Sequence, residues 1–126
     1  MTPIQLGNTL ARFRKLYNKA FNAETVYGGV FNPESPAAGH CAIVAMDVFF
    51  SLGGELVSCK VGNISHWYNL LNGVYLDVTG DQFGRPVIQI GKTPLYDGEH
   101  KSRNIKEVSE ETWNRYKIFV SRLGKS

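Results

Sequence analysis

The sequence lacks a hydrophobic run long enough to form a membrane-spanning helix. The longest apolar stretch, Cys41 to Leu52, contains Asp47 and stops at Gly53, whereas a spanning helix needs about 20 predominantly apolar residues. The chain also does not open with a charged segment followed by an apolar one, so a secretory signal is not expected. These absences favour a cytoplasmic protein.

Cysteine is scarce, and its two positions lack the spacing of a redox or zinc motif. Cys41 and Cys59 are 18 positions apart, with no CxxC pair. Without an export signal a disulfide is not expected, so each thiol needs its own explanation. Cys59 alternates with Val57 and Val61 along a predicted strand, which is typical of a small buried hydrophobic residue.

Charge of one sign is not strongly dominant. The formal net charge is +3, and the basic cluster at 101–106 is followed by Glu107, Glu110 and Glu111. Solvated helix faces explain this as well as a nucleic-acid footprint does, so nucleic-acid binding is an unfavoured alternative. Repeats and linkers are also lacking, and residues 1–126 are predicted to form a single domain.

The periodicity of the apolar residues predicts an α+β domain with a central helix and a small antiparallel sheet. The helix Cys41–Leu52 is apolar nearly all round, which indicates burial. The other predicted elements are an amphipathic helix over Thr2–Phe21, a turn-rich loop over Asn22–Gly39, strands at Glu55–Val61, Ile64–Leu71, Val74–Val78 and Pro86–Ile90, a polar loop over Gly91–Arg103 with a solvated His100, and a last helix capped by Ser109.

The dipeptide Asn72-Gly73 predicts a two-residue hairpin turn, which sets the register of the strands on either side. Leu71 then pairs with Val74, and His66 and Asp77 become diagonal neighbours on one face of the sheet. Such neighbours lie about 5.5 to 8 Å apart at the backbone, within reach of their side chains. The register therefore predicts contact between this histidine and this aspartate.

Cys41, His66 and Asp77 occur in the order of a thiol catalytic triad. A cysteine at a helix start faces unpaired N–H groups and the positive end of the dipole, which favour the thiolate. The histidine would complete the ion pair and protonate the leaving group, while the aspartate would orient the imidazole. Each residue is thus predicted on an element suited to a role in acyl transfer.

The sequence also leaves an alternative role open for each of these three residues. Cys41 can be a packed helix residue, His66 a satisfied strand histidine, and Asp77 a turn residue. Cysteine, histidine and carboxylate are also zinc ligands, although three scattered ligands without paired spacing favour zinc weakly. His40 would join such a site or line its mouth. Neither a metal nor a cofactor is expected.

The residues around the three candidates resemble the papain-like cysteine-hydrolase superfamily, in the branch with a central helix followed by an antiparallel sheet. The stretch from His66 to Asp77 is similar to the histidine and aspartate strands of transglutaminase-like domains. More narrowly, the chain resembles the small bacterial YunG-like family through four segments: FNPESPAAGHCA from Phe31, GGE from Gly53, SHWYN from Ser65 and LDVTGDQF from Leu76.

The resemblance implies a papain-like (transglutaminase-like) core and a Cys41/His66/Asp77 triad that acts on an amide, thioester or isopeptide carbonyl. Papain-type enzymes place a glutamine several residues before the cysteine to help form the oxyanion hole, and this chain has none there. Gln82 or Asn32 are the candidate substitutes. The further candidates for oxyanion or substrate binding are His40, Tyr27, Trp67 and Tyr68.

The leading hypothesis is therefore a cysteine hydrolase, whether peptidase, amidase or deamidase, that forms an acyl-enzyme on Cys41. Its expected substrate is a protein, a peptide or a small amide, without a membrane partner. The alternative is a catalytically silent papain-like module that binds or inhibits a protein or peptide partner. This alternative predicts a filled pocket, or a Cys41 sulfur more than about 5 Å from the His66 ring, beyond hydrogen-bond reach.

Overall fold

A computed structural model describes residues 1–124, and these form helices packed on one antiparallel sheet. The α+β class is confirmed. Within the described residues the helices are α1 (Pro3–Ala20), α2 (Cys41–Leu52) and α3 (Glu110–Arg122), and the strands are β1 (Glu55–Val61), β2 (Ile64–Leu71), β3 (Val74–Asp77), β4 (Gln89–Gly91) and β5 (Lys101–Arg103). Short 3-10 turns cover Tyr27–Gly29, Gly80–Phe83 and Ile105–Glu107.

Side-chain caps explain where the two outer helices begin. Thr2 accepts a hydrogen bond from the Gln5 backbone while the Gln5 side chain accepts from the Thr2 N–H, a reciprocal cap that satisfies two free donors of α1. Ser109 caps α3 by accepting from the Thr112 N–H at 3.1 Å. The predicted cap at Ser109 is confirmed, and α1 lies within the range Thr2–Phe21 that the apolar periodicity predicts.

The turn at Asn72-Gly73 has the backbone that the sequence predicts. Both residues have positive φ, 50° and 79°, as a primed hairpin turn requires. Leu71 pairs with Val74, and the register continues through Leu70 with Tyr75. The predicted register of β2 and β3 is therefore confirmed.

The sheet has the order β4-β3-β2-β1-β5 and separates two apolar layers. One face packs on the helices, where Asn69 donates a hydrogen bond of 2.9 Å to the Ala45 carbonyl of α2. Tyr68, the neighbour of Asn69, must then point to the other face. There it packs with Cys59 and with Tyr96 from the segment that follows β4. Cys59 is buried, as predicted.

Two predictions about the region after β3 were wrong. The polar loop predicted over Gly91–Arg103 contains strand β5, which pairs with β1, and its sequence Lys-Ser-Arg gives no hydrophobic alternation to detect. His100 is not simply solvated, because its Nε2 atom is 2.6 Å from the Tyr68 hydroxyl. Strand β4 starts at Gln89 rather than Pro86, and its predicted edge position is confirmed.

None of the helices formed by residues 1–124 combines the length and the apolar character that crossing a bilayer requires.

Candidate active site

Cys41 is the first residue of α2, and the chain enters this helix through Gly39. The φ of Gly39 is +79°, and a Cβ atom there would lie 2.6 Å from the Val26 side chain. Only glycine fits this turn without strain. The Cys41 side chain is half-buried, and its Sγ atom lies 3.9 Å from the Ser65 carbonyl oxygen at the start of β2.

His66 and Asp77 form a buried hydrogen-bonded pair. His66 Nε2 lies 2.7 Å from Asp77 Oδ2, and both residues are 3% exposed or less. The other oxygen of Asp77 accepts hydrogen bonds from Thr79, from the backbone N–H at 2.9 Å and from the hydroxyl at 3.1 Å. These donors fix the carboxylate, so the aspartate can hold the imidazole in one orientation.

The second ring nitrogen of His66 is left for the thiol. Nδ1 is buried and has no hydrogen-bond partner within the described residues, but the ring is close enough to interact with the Cys41 side chain. Burial lowers the pKa of His66, whereas the hydrogen bond that the ring donates to Asp77 and the interaction with Cys41 raise it. The net result is a pKa raised to about 9, so the imidazolium form is favoured at neutral pH.

Tyr96 is a member of this network that the sequence did not reveal. Its hydroxyl donates to Asp77 Oδ2, the same oxygen that contacts His66. The Gln89 side chain donates to that hydroxyl at 2.9 Å. Burial and the neighbouring Asp77 charge raise the pKa of Tyr96, which keeps it a donor. Tyr96 lies in the segment predicted as a polar loop, where no pattern set it apart.

Aromatic rings enclose the histidine on the side away from the helices. Edge contacts from Phe83 and Tyr96 place their ring centroids 5.0 and 4.9 Å from that of His66. Tyr68 stacks at 5.7 Å. This enclosure keeps water from the His66–Asp77 pair, which strengthens the electrostatic interaction between them.

Cys41 opens onto a cleft of about 500 Å³. Three of the predicted substrate-binding residues line it: Tyr27, Trp67 and Gln82. The Gln82 amide nitrogen donates to the Thr79 carbonyl at 3.0 Å, on the turn that follows β3. The volume lies within the usual range for small-molecule pockets, about 300 to 1,000 Å³.

Comparison with known proteins places the chain in a family. The family model described as "YunG protein" matches residues 9–126, nearly the whole chain, including all three triad candidates. The chain belongs to the YunG family. A curated relative, "Uncharacterized protein YunG" of Bacillus subtilis (strain 168), is 35% identical over 54 residues, which are 43% of this chain and 47% of the relative. The aligned part thus spans about half the length of that relative.

No solved structure matches the chain.

Three other predicted binding residues of this YunG-family chain do not line the cleft: Asn32, Tyr68 and His40. Asn32 is exposed and caps a turn, accepting from the Glu34 N–H at 3.0 Å. Tyr68 is buried in the second apolar layer. Neither side chain lines the cleft beside Cys41.

His40 is the third of these residues, and it is fully buried. Its Nδ1 lies 2.8 Å from the Pro36 carbonyl and its Nε2 lies 2.8 Å from the Thr25 hydroxyl. Burial lowers its pKa to about 4, so the ring is neutral. Because both nitrogens are occupied, His40 holds the loop before α2 in place and has no atom left for a substrate.

Within residues 1–124, no three histidine, cysteine or carboxylate side chains are arranged to hold a metal ion.

Proposed function

We propose that this protein is a cysteine hydrolase or acyl-transfer enzyme that forms an acyl-enzyme on Cys41. The observation that carries the proposal is the buried His66–Asp77 pair, whose unpartnered Nδ1 is near Cys41, a thiol that lines an open cleft. The order of these residues along a helix start and two antiparallel strands supports the finer assignment to a papain-like (transglutaminase-like) core.

The chemistry proceeds through two proton transfers by His66. With its Nε2–H donated to Asp77, the His66 imidazolium holds the proton of Cys41 at Nδ1, and the thiolate adds to the substrate carbonyl carbon. The imidazolium then gives this proton to the leaving amine or thiol, and a thioester forms on Cys41. A water molecule then gives a proton to His66 and attacks the thioester, which releases the carboxylic acid and restores the thiolate–imidazolium pair.

The first turn of α2 supplies donors for the negative charge that develops on the substrate oxygen. The side chain of His40, the N-cap residue, makes no capping hydrogen bond, so it leaves the N–H groups of the first turn available. The Gln82 amide lines the same cleft and is the candidate second donor. Donors of this kind stabilise the tetrahedral intermediate by about 3 kcal/mol each.

The test is the rate at which iodoacetamide alkylates Cys41 at pH 6 to 7. An imidazolium-paired thiolate reacts about tenfold or more faster than a free thiol, because a free thiol of pKa about 8.5 is almost fully protonated there. His66→Ala should abolish this excess. His100→Ala is the matched control, since His100 contacts Tyr68 but not Cys41. Mass spectrometry should find a single adduct, on Cys41, because Cys59 is 6% exposed.

If Cys41 reacts no faster than a free model thiol and His66→Ala changes nothing, the proposal fails. The silent binding module remains the alternative, and it predicts a filled pocket or a sulfur far from the imidazole. The open cleft and the interaction between Cys41 and His66 support the enzyme instead.

A further inference from the structure

The charged side chains that line the cleft beside Cys41 are all positive. Among the described residues, the charged side chains that line it are Lys60 and Arg115, with no carboxylate. The remaining wall is polar or apolar, with Trp67 and Ile64 as its larger side chains on the sheet. A ligand in this cleft therefore meets positive potential, and low-dielectric walls concentrate that potential.

Lys60 is placed next to the thiol by the register of the sheet. It pairs with Ser65 across β1 and β2, and directly opposed residues share a face with Cβ atoms about 5 Å apart. The Ser65 carbonyl is the atom that lies 3.9 Å from Cys41 Sγ. A charged group on a substrate bound at Cys41 would thus lie close to the Lys60 ammonium group.

Lys60 also differs from Arg115 in its side-chain contacts. The Arg115 guanidinium is paired with Glu111 at 2.7 Å and donates to the Thr25 carbonyl at 3.0 Å. Lys60 is exposed, and within residues 1–124 its ammonium group forms no ion pair or hydrogen bond. Its charge is therefore available to a ligand, whereas most of the Arg115 donors are already used.

We propose that the cleft selects acyl substrates that carry a negative charge, such as a carboxylate near the reacting carbonyl, and that Lys60 is the residue that selects them. This inference rests on the proposed function, because it takes Cys41 as the nucleophile. The apolar surface of Trp67 and Ile64 contacts the uncharged part of the substrate. Arg115 adds to the positive potential without binding the charge directly.

The test compares two thiol reagents of similar size and opposite charge. Sulfonatoethyl methanethiosulfonate is anionic, and trimethylammonioethyl methanethiosulfonate is cationic; each transfers its alkylthio group to a thiolate and releases methanesulfinate. The quantity measured is the ratio of their rate constants at Cys41, divided by the same ratio for a free thiol. Changes in the thiolate fraction cancel in this ratio, so it reports the potential in the cleft.

The ratio should favour the anionic reagent in the wild-type protein. Lys60→Glu should lower it about tenfold and Lys60→Gln about threefold at low ionic strength, with smaller effects at 0.5 M salt. Lys92→Glu makes the same change in net charge at an exposed site outside the cleft, and it should leave the ratio nearly unchanged. A Lys60→Glu effect no larger than that of Lys92→Glu overturns the inference.

The two proposals fail separately in these measurements. Fast, His66-dependent alkylation with a ratio insensitive to Lys60 overturns the charge selection and leaves the proposed function standing. A Lys60-dependent ratio combined with alkylation that ignores His66→Ala supports the positive potential set by Lys60 but contradicts catalysis by Cys41, and with it the selection of acyl substrates.

Discussion

Asp77 is the residue on which the polar contacts of the site converge. Its carboxylate accepts hydrogen bonds from His66, Thr79 and Tyr96. These hydrogen bonds offset the free-energy cost of burying a carboxylate, which would be high without donors. The donors Thr79 and Tyr96 also withdraw part of the negative charge that stabilises the His66 imidazolium. They therefore lower the pKa of His66 relative to a site without them.

Tyr96→Phe tests this balance. Loss of the hydroxyl leaves more negative charge on Asp77 Oδ2, and the pKa of His66 should rise by about 0.5 to 1. The pKa is read from an NMR titration of the His66 ring, in a Cys41→Ala background so that the thiol does not titrate alongside.

Tyr75→Phe is the matched control for this prediction. Tyr75 is a half-buried tyrosine on β3 whose ring contacts Tyr68 and His100 but not the Asp77 carboxylate. An unchanged or lower pKa of His66 in Tyr96→Phe would contradict the role assigned to the Tyr96 hydroxyl.

At the scale of the elements, two buried arginines fix the segments that border the site. Arg14 of α1 donates two hydrogen bonds to the Asp81 carboxylate, at 2.7 and 2.9 Å, in the turn that carries Gln82. Arg115 of α3 donates to the Thr25 carbonyl, in the loop before Cys41. Their planar guanidinium groups tie the outer helices to the loops beside the cleft, since each makes several directional bonds at once.

The hairpin turn and helix α1 respond oppositely to the same substitution. Gly73 has a φ of 79° in an open environment, so Gly73→Ala strains the backbone and should lower the free energy of unfolding by about 1 kcal/mol. Gly7 has ordinary helical geometry, and an added Cβ would lie 3.7 Å from Ile90 Cδ1. Gly7→Ala should therefore raise the free energy of unfolding by about 0.5 to 1 kcal/mol.

Urea denaturation of the two alanine variants and the wild type measures both effects. A Gly73→Ala variant as stable as the wild type would show that the turn does not depend on positive φ. A destabilised Gly7→Ala variant would show that the space between α1 and β4 is too tight for a methyl group.

For the whole molecule, buried His40 makes stability depend on pH below neutrality. Its folded pKa of about 4 lies below its ordinary value of 6.5. Between these values the unfolded chain binds a proton that the folded protein does not, so stability is retained above pH 6.5 and is lost as the pH falls toward 4. From pH 6.5 to pH 5 the expected loss from this residue is about 1.5 kcal/mol.

His40→Gln provides the comparison for this pH dependence. Glutamine can donate and accept hydrogen bonds but does not titrate, so the variant lacks the His40 contribution and keeps that of every other group. The free energy of unfolding of the wild type should fall about 1.5 kcal/mol more than that of His40→Gln between pH 6.5 and 5. Equal pH dependence in the two proteins would contradict a neutral, buried His40.

The sequence alone determined most of the elements and the register of the central hairpin. Asn72-Gly73 is a local signal, because the backbone requirement of a two-residue turn is met within the turn itself. From it followed the pairing of Leu71 with Val74 and the proximity of His66 and Asp77, which are 2.7 Å apart in the fold. The boundaries of α2 and β1 followed from local apolar patterns and flanking glycines in the same way.

Only the tertiary structure decided what surrounds the three triad candidates. Tyr96 reaches Asp77 across 19 positions of the chain, and His40 is held by a threonine 15 positions away. Neither contact is visible as a periodic pattern in the sequence, since each depends on how a loop packs on the rest of the fold. The cleft and the position of Lys60 beside Cys41 also arise from packing. Hairpin geometry is local and can be predicted, whereas loop packing is set by contacts between distant segments.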